Sequence, residues 1–299
     1  MTSITGNMVF TEESTLSVPE LPLTLSNVPR YTTNRLTKSW EHDIRYVLGQ
    51  SDYFDIVRMR KQNTFTLSYD LAETSFIQYA IAPPAGTGTI AKSRTFILPI
   101  TVNGVQKYRV FDGVKTNTCN LEFRDYYSIE ESLIARNISK PLTEDELKLQ
   151  LGLTTTADIT FPSPPSDLFW SNLEPEETTQ KPLSINGTDY RTTGMTIQVE
   201  RNTTPAHATA NSSFWHLEAM YRGISGTLEM YYIDDTLEDL MENWTTVNIV
   251  YTLNDSPSRT CTLTGCKLHN IGTDLSAGDN RYQMQNINFS ASSITINTS

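Results

Sequence analysis

The sequence predicts a mainly β protein, and three observations support that fold class. Ser and Thr account for 68 of the 299 residues and Asn for another 20, and these side chains compete for backbone hydrogen bonds inside helices. Apolar residues alternate with polar ones in several segments, as at Phe65, Leu67 and Tyr69, which is the period of a half-buried strand. Strand-like runs are separated by turn signals such as Asn103-Gly104, a pair that suits a type I′ hairpin.

Charge and composition argue against several classes of partner. The chain carries 34 Asp and Glu against 23 Lys and Arg, a formal net charge of −11, and the cations form no run. Tight binding of DNA or of an anionic membrane needs clustered Lys and Arg, so neither is expected. No apolar stretch is long enough for a transmembrane helix and no secretory signal is visible, so we expect no membrane insertion. Three cysteines predict reduced thiols, because they cannot form a disulfide framework.

Two segments, Thr64–Ala80 and Gly226–Asn243, look alike and indicate an internal duplication. Each begins as an alternating strand, and the alternating positions align Tyr69 with Tyr232. Each then reaches an Asp that is followed three positions later by a Glu: Asp70/Glu73 and Asp235/Glu238. Such a pair can satisfy the free N–H groups at a helix start. The sequence therefore predicts two short helices, each capped by its Asp.

The segments that follow match more closely. Ile97–Lys115 and Ile249–Lys267 both read as strand, polar turn, strand, Gly and Lys. The turns are predicted at Asn103-Gly104 and Asn254-Asp255, and the glycines at matching positions are Gly113 and Gly265. Upstream, Val28–Thr33 resembles Gly187–Thr193.

These matches predict two tandem β units, each with a short flanking helix. The first unit, residues 1–150, has an N-terminal arm and ends in a connector helix near Glu144–Leu151, which follows the capping pair Thr143 and Glu146. The second unit, residues 151–299, contains the irregular stretch Pro162–Pro182 and ends in a C-terminal arm. The prolines of that stretch are incompatible with helix interiors and regular strand ladders.

No motif of catalysis or of cofactor binding stands out. Gly86–Ser93 has Ala91 where a phosphate-binding loop needs its second Gly, and a strand-like run follows it. Cys261, Cys266 and His269, with distant Cys119, lack the paired spacing of structural zinc sites. The four histidines are scattered and no Gly-x-Ser-x-Gly elbow occurs. We therefore expect no enzyme, no cofactor and no metal, and eight Asn-x-Ser/Thr sequons leave glycosylation open.

The order of the β motifs resembles that of the tail tube proteins, or major tail proteins, of long-tailed viruses of bacteria and archaea. The residues that carry the resemblance are a Gly-Thr-Leu strand start with an acidic residue and a short helix, a Gly-x-Lys strand and a late paired strand. They are Gly226-Thr227-Leu228 with Asp234–Trp244, Gly113-Val114-Lys115, Gly265-Cys266-Lys267 and Asn286–Ile294. The resemblance covers about residues 56–139 and 187–294.

The resemblance implies a fold and an assembly. The fold would be a β-sandwich or rolled-barrel domain with one flanking helix, present twice. Three such chains would form a pseudo-sixfold ring, and rings would stack into the hollow tube that conducts the viral genome during ejection. Implied partners are the chain itself, the tail terminator, tail tip and tape-measure proteins, and double-stranded DNA that passes without specific binding. The protein would be made in the host cytoplasm and reside in the virion tail.

The segment Pro83–Arg94, which the second unit lacks, is a candidate contact between rings, as are the Met1–Val28 arm and the C-terminal arm. Loops and arms that become ordered on assembly commonly form such contacts. The residues proposed for this contact are Pro83, Pro84, Gly86, Gly88 and Lys92. Two other classes remain open on the residues alone: another β-rich tail component, such as a terminator or tip protein, and a carbohydrate-binding β-sandwich surface module. An excess of carboxylates agrees with a DNA conduit, since a negative wall repels phosphate.

Overall fold

The structure is a computed structural model that describes thirteen ranges of the chain. They are residues 2–4, 6–29, 31–46, 53–71, 76–82, 92–124, 127–163, 183–207, 214–219, 221–232, 234–255, 258–274 and 284–298. The protein is mainly β, with 62 % of its residues in strands, as the sequence predicts. The strands pair antiparallel throughout the described ranges.

The first half of the chain contains ten strands and two helices among the described residues. They are β1 (Thr2–Ile4), β2 (Val9–Thr15), β3 (Val18–Pro19), β4 (Ser26–Asn27), β5 (Tyr31–Tyr46), β6 (Tyr53–Asp70), α1 (Gln78–Ile81), β7 (Arg94–Val102), β8 (Val105–Phe123), β9 (Tyr127–Ile134), β10 (Asn137–Ile138) and α2 (Glu144–Gln150).

The described part of the second half contains ten further strands and one helix. They are β11 (Leu183–Ile185), β12 (Thr188–Tyr190), β13 (Thr192–Glu200), β14 (Thr203–His207), β15 (Phe214–Ala219), β16 (Gly223–Tyr231), α3 (Thr236–Glu242), β17 (Val247–Asp255), β18 (Ser258–Asp274), β19 (Met284–Ser290) and β20 (Ser293–Thr298).

A hairpin with a long, bent second strand organises the first half. The turn between β7 and β8 has φ of 52° at Asn103 and 80° at Gly104, which confirms the predicted type I′ signal. Beyond the turn β8 pairs with β7, then bends at Gly113, where φ is 62°, and pairs with β9. The bend folds one layer over the other, and Phe65 of β6 meets Phe111 of β8 across the core at 4.9 Å between ring centroids.

The second half repeats this hairpin. Strands β17 and β18 pair, β18 bends at Gly265 with φ of 63°, and its remainder pairs with β19. The predicted turn at Asn254-Asp255 is wrong, because β17 continues through Asp255, which pairs with Ser258. The turn residues 256–257 lie outside the described residues.

The order of strand pairing is the same in the two halves. Strands β5, β6, β9 and β8 follow one another in the first, and β13, β16, β19 and β18 in the second. Tyr31 pairs with Tyr69, Thr192 pairs with Met230, and both partners are 161 positions apart (31 to 192, 69 to 230). A register shift follows both Tyr31 and Thr192. The alignment of Tyr69 with Tyr232 is therefore wrong by two residues.

The helix starts differ from the capping predictions in two of three places. Helix α1 begins at Gln78 without a side-chain cap, since the Asp70 backbone still pairs with Ser128 in the sheet; Glu73 lies outside the described residues. Helix α3 has the predicted position, but the Asp235 carboxylate accepts from the Tyr232 hydroxyl and not from the helix. The neighbouring Asp234 accepts from the Thr236 N–H at 3.0 Å. Helix α2 has the predicted capping box of Thr143 and Glu146.

The two predicted arms are strands in the structure. Strand β2 pairs with β7, and Val9 and Phe10 are buried. Strand β20 pairs with the outer part of β18. Between the halves, residues 154–163 contain neither helix nor strand, and residues 164–182, most of the predicted irregular stretch, lie outside the described residues.

Candidate functional site: a polar sheet face with two open edges

Strand β8 joins the two halves into one continuous sheet. Its end, Thr118–Phe123, pairs with Met195–Glu200 of β13, with Asn120 opposite Gln198. The sheet therefore runs through eight strands in the order β5, β6, β9, β8, β13, β16, β19, β18. A sheet of this breadth presents two large faces.

One face of this sheet is apolar and buried, and the other is polar. Because side chains alternate across a strand, the core residues Leu67, Leu121, Ile197, Leu228 and Ile287 are each flanked by residues on the opposite face. This polar face carries Thr66, Ser68, Asp70, Asn120, Glu122, Ser128, Glu130, Thr196, Gln198, Glu200, Ser225, Thr227, Glu229, Asn286 and Asn288.

Carboxylates dominate the charge of the polar face. Those in its described part are Asp70, Glu122, Glu130, Glu200 and Glu229. The Arg124 guanidinium pairs with two of them, at 2.8 Å to Glu122 and 2.5 Å to Glu229. Lys115 and Lys267 lie at the bends of their strands, where each Nζ donates to a backbone carbonyl, of Leu217 and Trp244 respectively. The described part of this face is therefore net negative.

The continuous sheet ends on two open edges. Strand β5 pairs with β6 alone, and Lys267–Asp274 of β18 pairs with β19 alone, among the residues that the structure describes. The repeat makes these edges complementary: β18 corresponds to β8, and β5 corresponds to β13. The closed β8–β13 joint thus has an open counterpart at each end of the sheet, and open edges are templates for another chain.

The joint inside the chain is closed by side chains as well as by strand pairing. Phe123 stacks on Tyr251 at 5.5 Å between centroids, and the Tyr127 hydroxyl donates to the Leu253 carbonyl at 3.1 Å. Arg201 Nη1 donates to the Tyr79 and Ala80 carbonyls at the end of α1, at 3.0 and 2.9 Å. Burial, together with the positive charge of Arg222, lowers the pKa of Arg201 to about 10.

A buried polar cluster lies under the first half of the sheet. Arg94 and Glu131 approach within 3.7 Å and are both nearly inaccessible. Thr116 accepts from Arg94 at 3.0 Å and donates to Glu131 at 2.9 Å, and the Tyr69 hydroxyl also donates to Glu131. Burial raises the pKa of Tyr69 and lowers that of Arg94. All four side chains of the cluster are buried, and their hydrogen bonds connect three strands of the core, β6, β8 and β9, with β7.

The predicted site residues fall in separate places. The Gly113 N–H donates to buried Glu13 at 2.8 Å, and the Gly265 N–H donates to Asn248 at 3.3 Å. Asp70 lies on the polar face, whereas Asp235 and Glu238 lie at the start of α3. Lys92 bonds to Glu12 at 2.5 Å and Glu20 at 2.9 Å. Pro83, Pro84, Gly86 and Gly88 lie outside the described residues.

Sequence reasoning missed one element with a clear signal and one cluster with none. Asn186 and Gly187 have φ of 50° and 84° in the turn between β11 and β12, so the Asn-Gly signal of Asn103-Gly104 occurs again. The Arg94–Glu131 pair has no such signal, because long-range strand pairing alone brings the two residues together.

The cysteines and His269 do not converge. Cys119, Cys261 and Cys266 are buried, and burial raises the pKa of all three thiols, that of Cys266 to about 11. His269 is exposed on the polar face, 3.2 Å from the Ser290 hydroxyl. The described ranges contain no group of three or more His, Cys, Asp and Glu placed to hold a metal ion. Nor do they contain a helix long and apolar enough to cross a membrane.

The continuous sheet, its negative polar face and its complementary open edges define a structural protein built for self-association. The family model for the phage tail tube protein matches residues 9–291, nearly the whole chain. The chain therefore belongs to the phage tail tube family, as the motif order indicated, and is a structural component of the virion tail that associates with itself into a tube. No curated protein sequence matches the chain.

Proposed function

We propose that the chain forms two tandem tube-type domains, residues 1–150 and 151–299, and that three copies close into a pseudo-sixfold ring. The observation that supports this is the pair of open edges, since β18 and β5 repeat the strands that form the joint inside the chain. A head-to-tail contact closes into a ring when its repeated rotation completes a full turn, and we propose that the rotation does so after three copies. Six equivalent joints then alternate, three within chains and three between them.

The repeat specifies the register of the joint between chains. Gln198 lies opposite Asn120 in the internal joint. The residues at the repeated positions are Thr37 on β5 and Gly272 on β18, which we place opposite each other between neighbouring copies. The same register sets Arg35 opposite Asp274, and cross-strand pairs of opposite charge stabilise a sheet.

The polar face lines the bore of this ring, and stacked rings form the hollow tube that conducts the genome during ejection. Its carboxylates repel the DNA phosphates, and screening within about 8 Å at physiological salt confines that repulsion to the wall. Double-stranded DNA therefore passes without specific binding. The ends of the tube meet the tail terminator and tail tip proteins, and the tape-measure protein occupies the bore during assembly.

Pro83–Arg94 is the proposed contact between stacked rings. Its end is fixed to the first domain, because Lys92 bonds to Glu12 and Glu20. Deleting Ala85–Lys92 should leave a folded chain that forms rings but no long tubes, as seen by negative-stain microscopy. Normal tubes from the deletion would contradict the role of this segment.

Cysteine cross-linking tests the ring. Thr37→Cys with Gly272→Cys should give covalent trimers on denaturing gels after mild oxidation, because cross-strand Cα separations of about 4.5–5.5 Å suit a disulfide. Gln198→Cys with Asn120→Cys is the matched control, which should cross-link at the same register within one chain. Thr37→Cys with Glu130→Cys, which lies on a central strand, should give no cross-linked oligomers on the gel. Covalent oligomers larger than the trimer, or the absence of any cross-linked oligomer, would contradict the three-copy ring.

A further inference from the structure

The two sheet-flanking helices occupy repeated positions, but the described residues cover the C-terminal end of only one of them. Helix α1 follows β6 and α3 follows β16. The separation of 161 positions that relates these strands (69 to 230) also relates Phe76 to Leu237 and Ala80 to Met241. Phe76 and Leu237 are both buried, as is Ala80, whereas Met241 is only partly buried.

The second half of the chain covers the end of α1. Arg201 donates to the carbonyls of Tyr79 and Ala80, and Arg222 donates to the carbonyl of Ile81. Gln78 donates to the carbonyl of Ile296 in β20 at 3.2 Å. This helix end is therefore part of the closed joint.

Helix α3 is followed instead by an exposed aromatic residue. Trp244 is 58 % exposed, although its backbone has φ of 51°. Gly or Asn is favoured at such a position after a helix, because a bulky side chain is strained there. Lys267 holds the residue in place, with Nζ 5.5 Å from the ring centroid and donating to the Trp244 carbonyl. Neither the strain nor the exposure of the ring stabilises a single chain.

We infer that Trp244 and the C-terminal end of α3 form the surface that the next copy of this chain contacts. This inference rests on the proposed ring. The segment that covers Trp244 can be identified because the contact between copies repeats the closed β8–β13 joint. Arg201 and Arg222 cover the end of α1. The residues 161 positions earlier are Trp40 and Lys61, which lie opposite each other in the β5–β6 pairing. The segment of the next copy around Trp40 and Lys61 therefore covers Trp244.

The two joints use different chemistry for the same purpose. The Leu240 and Met241 carbonyls of α3 are satisfied within the turn, since the Thr245 N–H donates to the Leu240 carbonyl and the Trp244 N–H to the Met241 carbonyl, both at 2.9 Å. These two carbonyls, which correspond to those of Tyr79 and Ala80, therefore need no arginine from the next copy. An aromatic contact takes its place, and aromatic residues that become buried often dominate the energy of an interface.

Hydroxyl-radical footprinting of the unmodified chain tests this inference. Oxidation of Trp244 should slow several-fold between the dilute unassembled chain and isolated rings, and should not slow further when rings stack. Tyr221, which is 63 % exposed beside the joint already closed within the chain, is the control and should oxidise at the same rate in both states. Rings with unprotected Trp244, or protection that begins only in stacked tubes, would overturn the inference. A chain that forms no rings would instead overturn the proposed function.

A variant gives an independent measure. Trp244→Gly suits the backbone conformation, so the thermal unfolding of the unassembled chain should be unchanged or improved. The apparent dissociation constant of the ring should rise roughly thirtyfold, as for loss of an aromatic hot spot. Leu149→Ala, which truncates another exposed apolar side chain, on α2, should leave it unchanged. A Trp244→Gly chain that assembles like the parent would overturn the inference.

Discussion

The two halves of the chain share one order of strand pairs but differ in chemistry at four corresponding core positions. The first half buries the polar cluster of Tyr69, Arg94, Thr116 and Glu131. At the corresponding register positions the second half has Met230, Val247, Leu268 and Ile287, all buried. The same backbone arrangement therefore forms with or without the buried ion pair. The pair is a property of the first half and not a requirement of the fold.

The largest expected effect comes from breaking this pair. Glu131→Ile introduces the residue of the second half but leaves the buried Arg94 guanidinium without its opposite charge. We expect the free energy of unfolding in urea to fall by about 3–5 kcal/mol, because a lone buried charge is strongly unfavourable.

Replacing all four residues of the cluster by apolar ones should reverse most of that loss. The variant combines Tyr69→Met, Arg94→Met, Thr116→Leu and Glu131→Ile. Met replaces Arg94 because the shorter Val would leave a gap beside the rings of Phe76 and Tyr79. The centroids of these rings lie 4.9 and 4.6 Å from Arg94 Cζ. Replacing a buried pair by packed apolar residues is often neutral or better. A fourfold variant as unstable as Glu131→Ile alone would show that the first half depends on the pair.

The next effect distinguishes the two bends. An added Cβ at Gly113 would lie 2.7 Å from Arg136 Cβ, whereas one at Gly265 would meet the rotatable Ser292 hydroxyl. Both positions have positive φ, so both Ala variants are strained. We expect Gly113→Ala to lower the free energy of unfolding by roughly 2–5 kcal/mol and Gly265→Ala by roughly 1–2 kcal/mol. Adding Ser292→Ala should relieve only the second variant, and equal losses at both bends would contradict the distinction.

Local signals predicted a good part of the fold, and contacts between distant strands decided the rest. Asn103-Gly104 and the Thr143/Glu146 capping box act within a few residues, so the sequence was sufficient for both. Asp70 also has the local signal of a helix cap, but its backbone pairs with Ser128 in β9, and that ladder displaces the helix start to Gln78. The open edges of the candidate site, and the register that makes them complementary, depend on the same long-range pairing.

A smaller effect separates a helix with a side-chain cap from one whose N-cap residue makes no such bond. The Thr143 hydroxyl accepts from the Glu146 N–H, while the Asp235 carboxylate accepts nothing from α3. We expect Thr143→Ala to lower the free energy of unfolding by about 1 kcal/mol. Asp235→Ala should cost no more than a few tenths of that, within the range of ordinary surface changes. Urea titrations of both variants at neutral pH provide the measurement, and equal losses would mean that Asp235 supports the second half in another way.

The smallest effect is a pH dependence confined to the first half. Burial raises the pKa of Asp112, against the opposing effect of the hydrogen bond from Ser17, and the nearby Glu13 carboxylate adds to the rise. The folded state then holds a proton that the unfolded state has released, so this residue's contribution to stability falls as pH rises through the unfolded and folded pKa values. Thr264, the residue 152 positions further on at the corresponding site beside Gly265, cannot titrate. The free energy of unfolding of Asp112→Asn, relative to that of the parent chain, should therefore increase as pH rises from about 4 to 7. This range begins near the usual pKa of Asp. A constant difference across that range would show that Asp112 ionises as readily folded as unfolded.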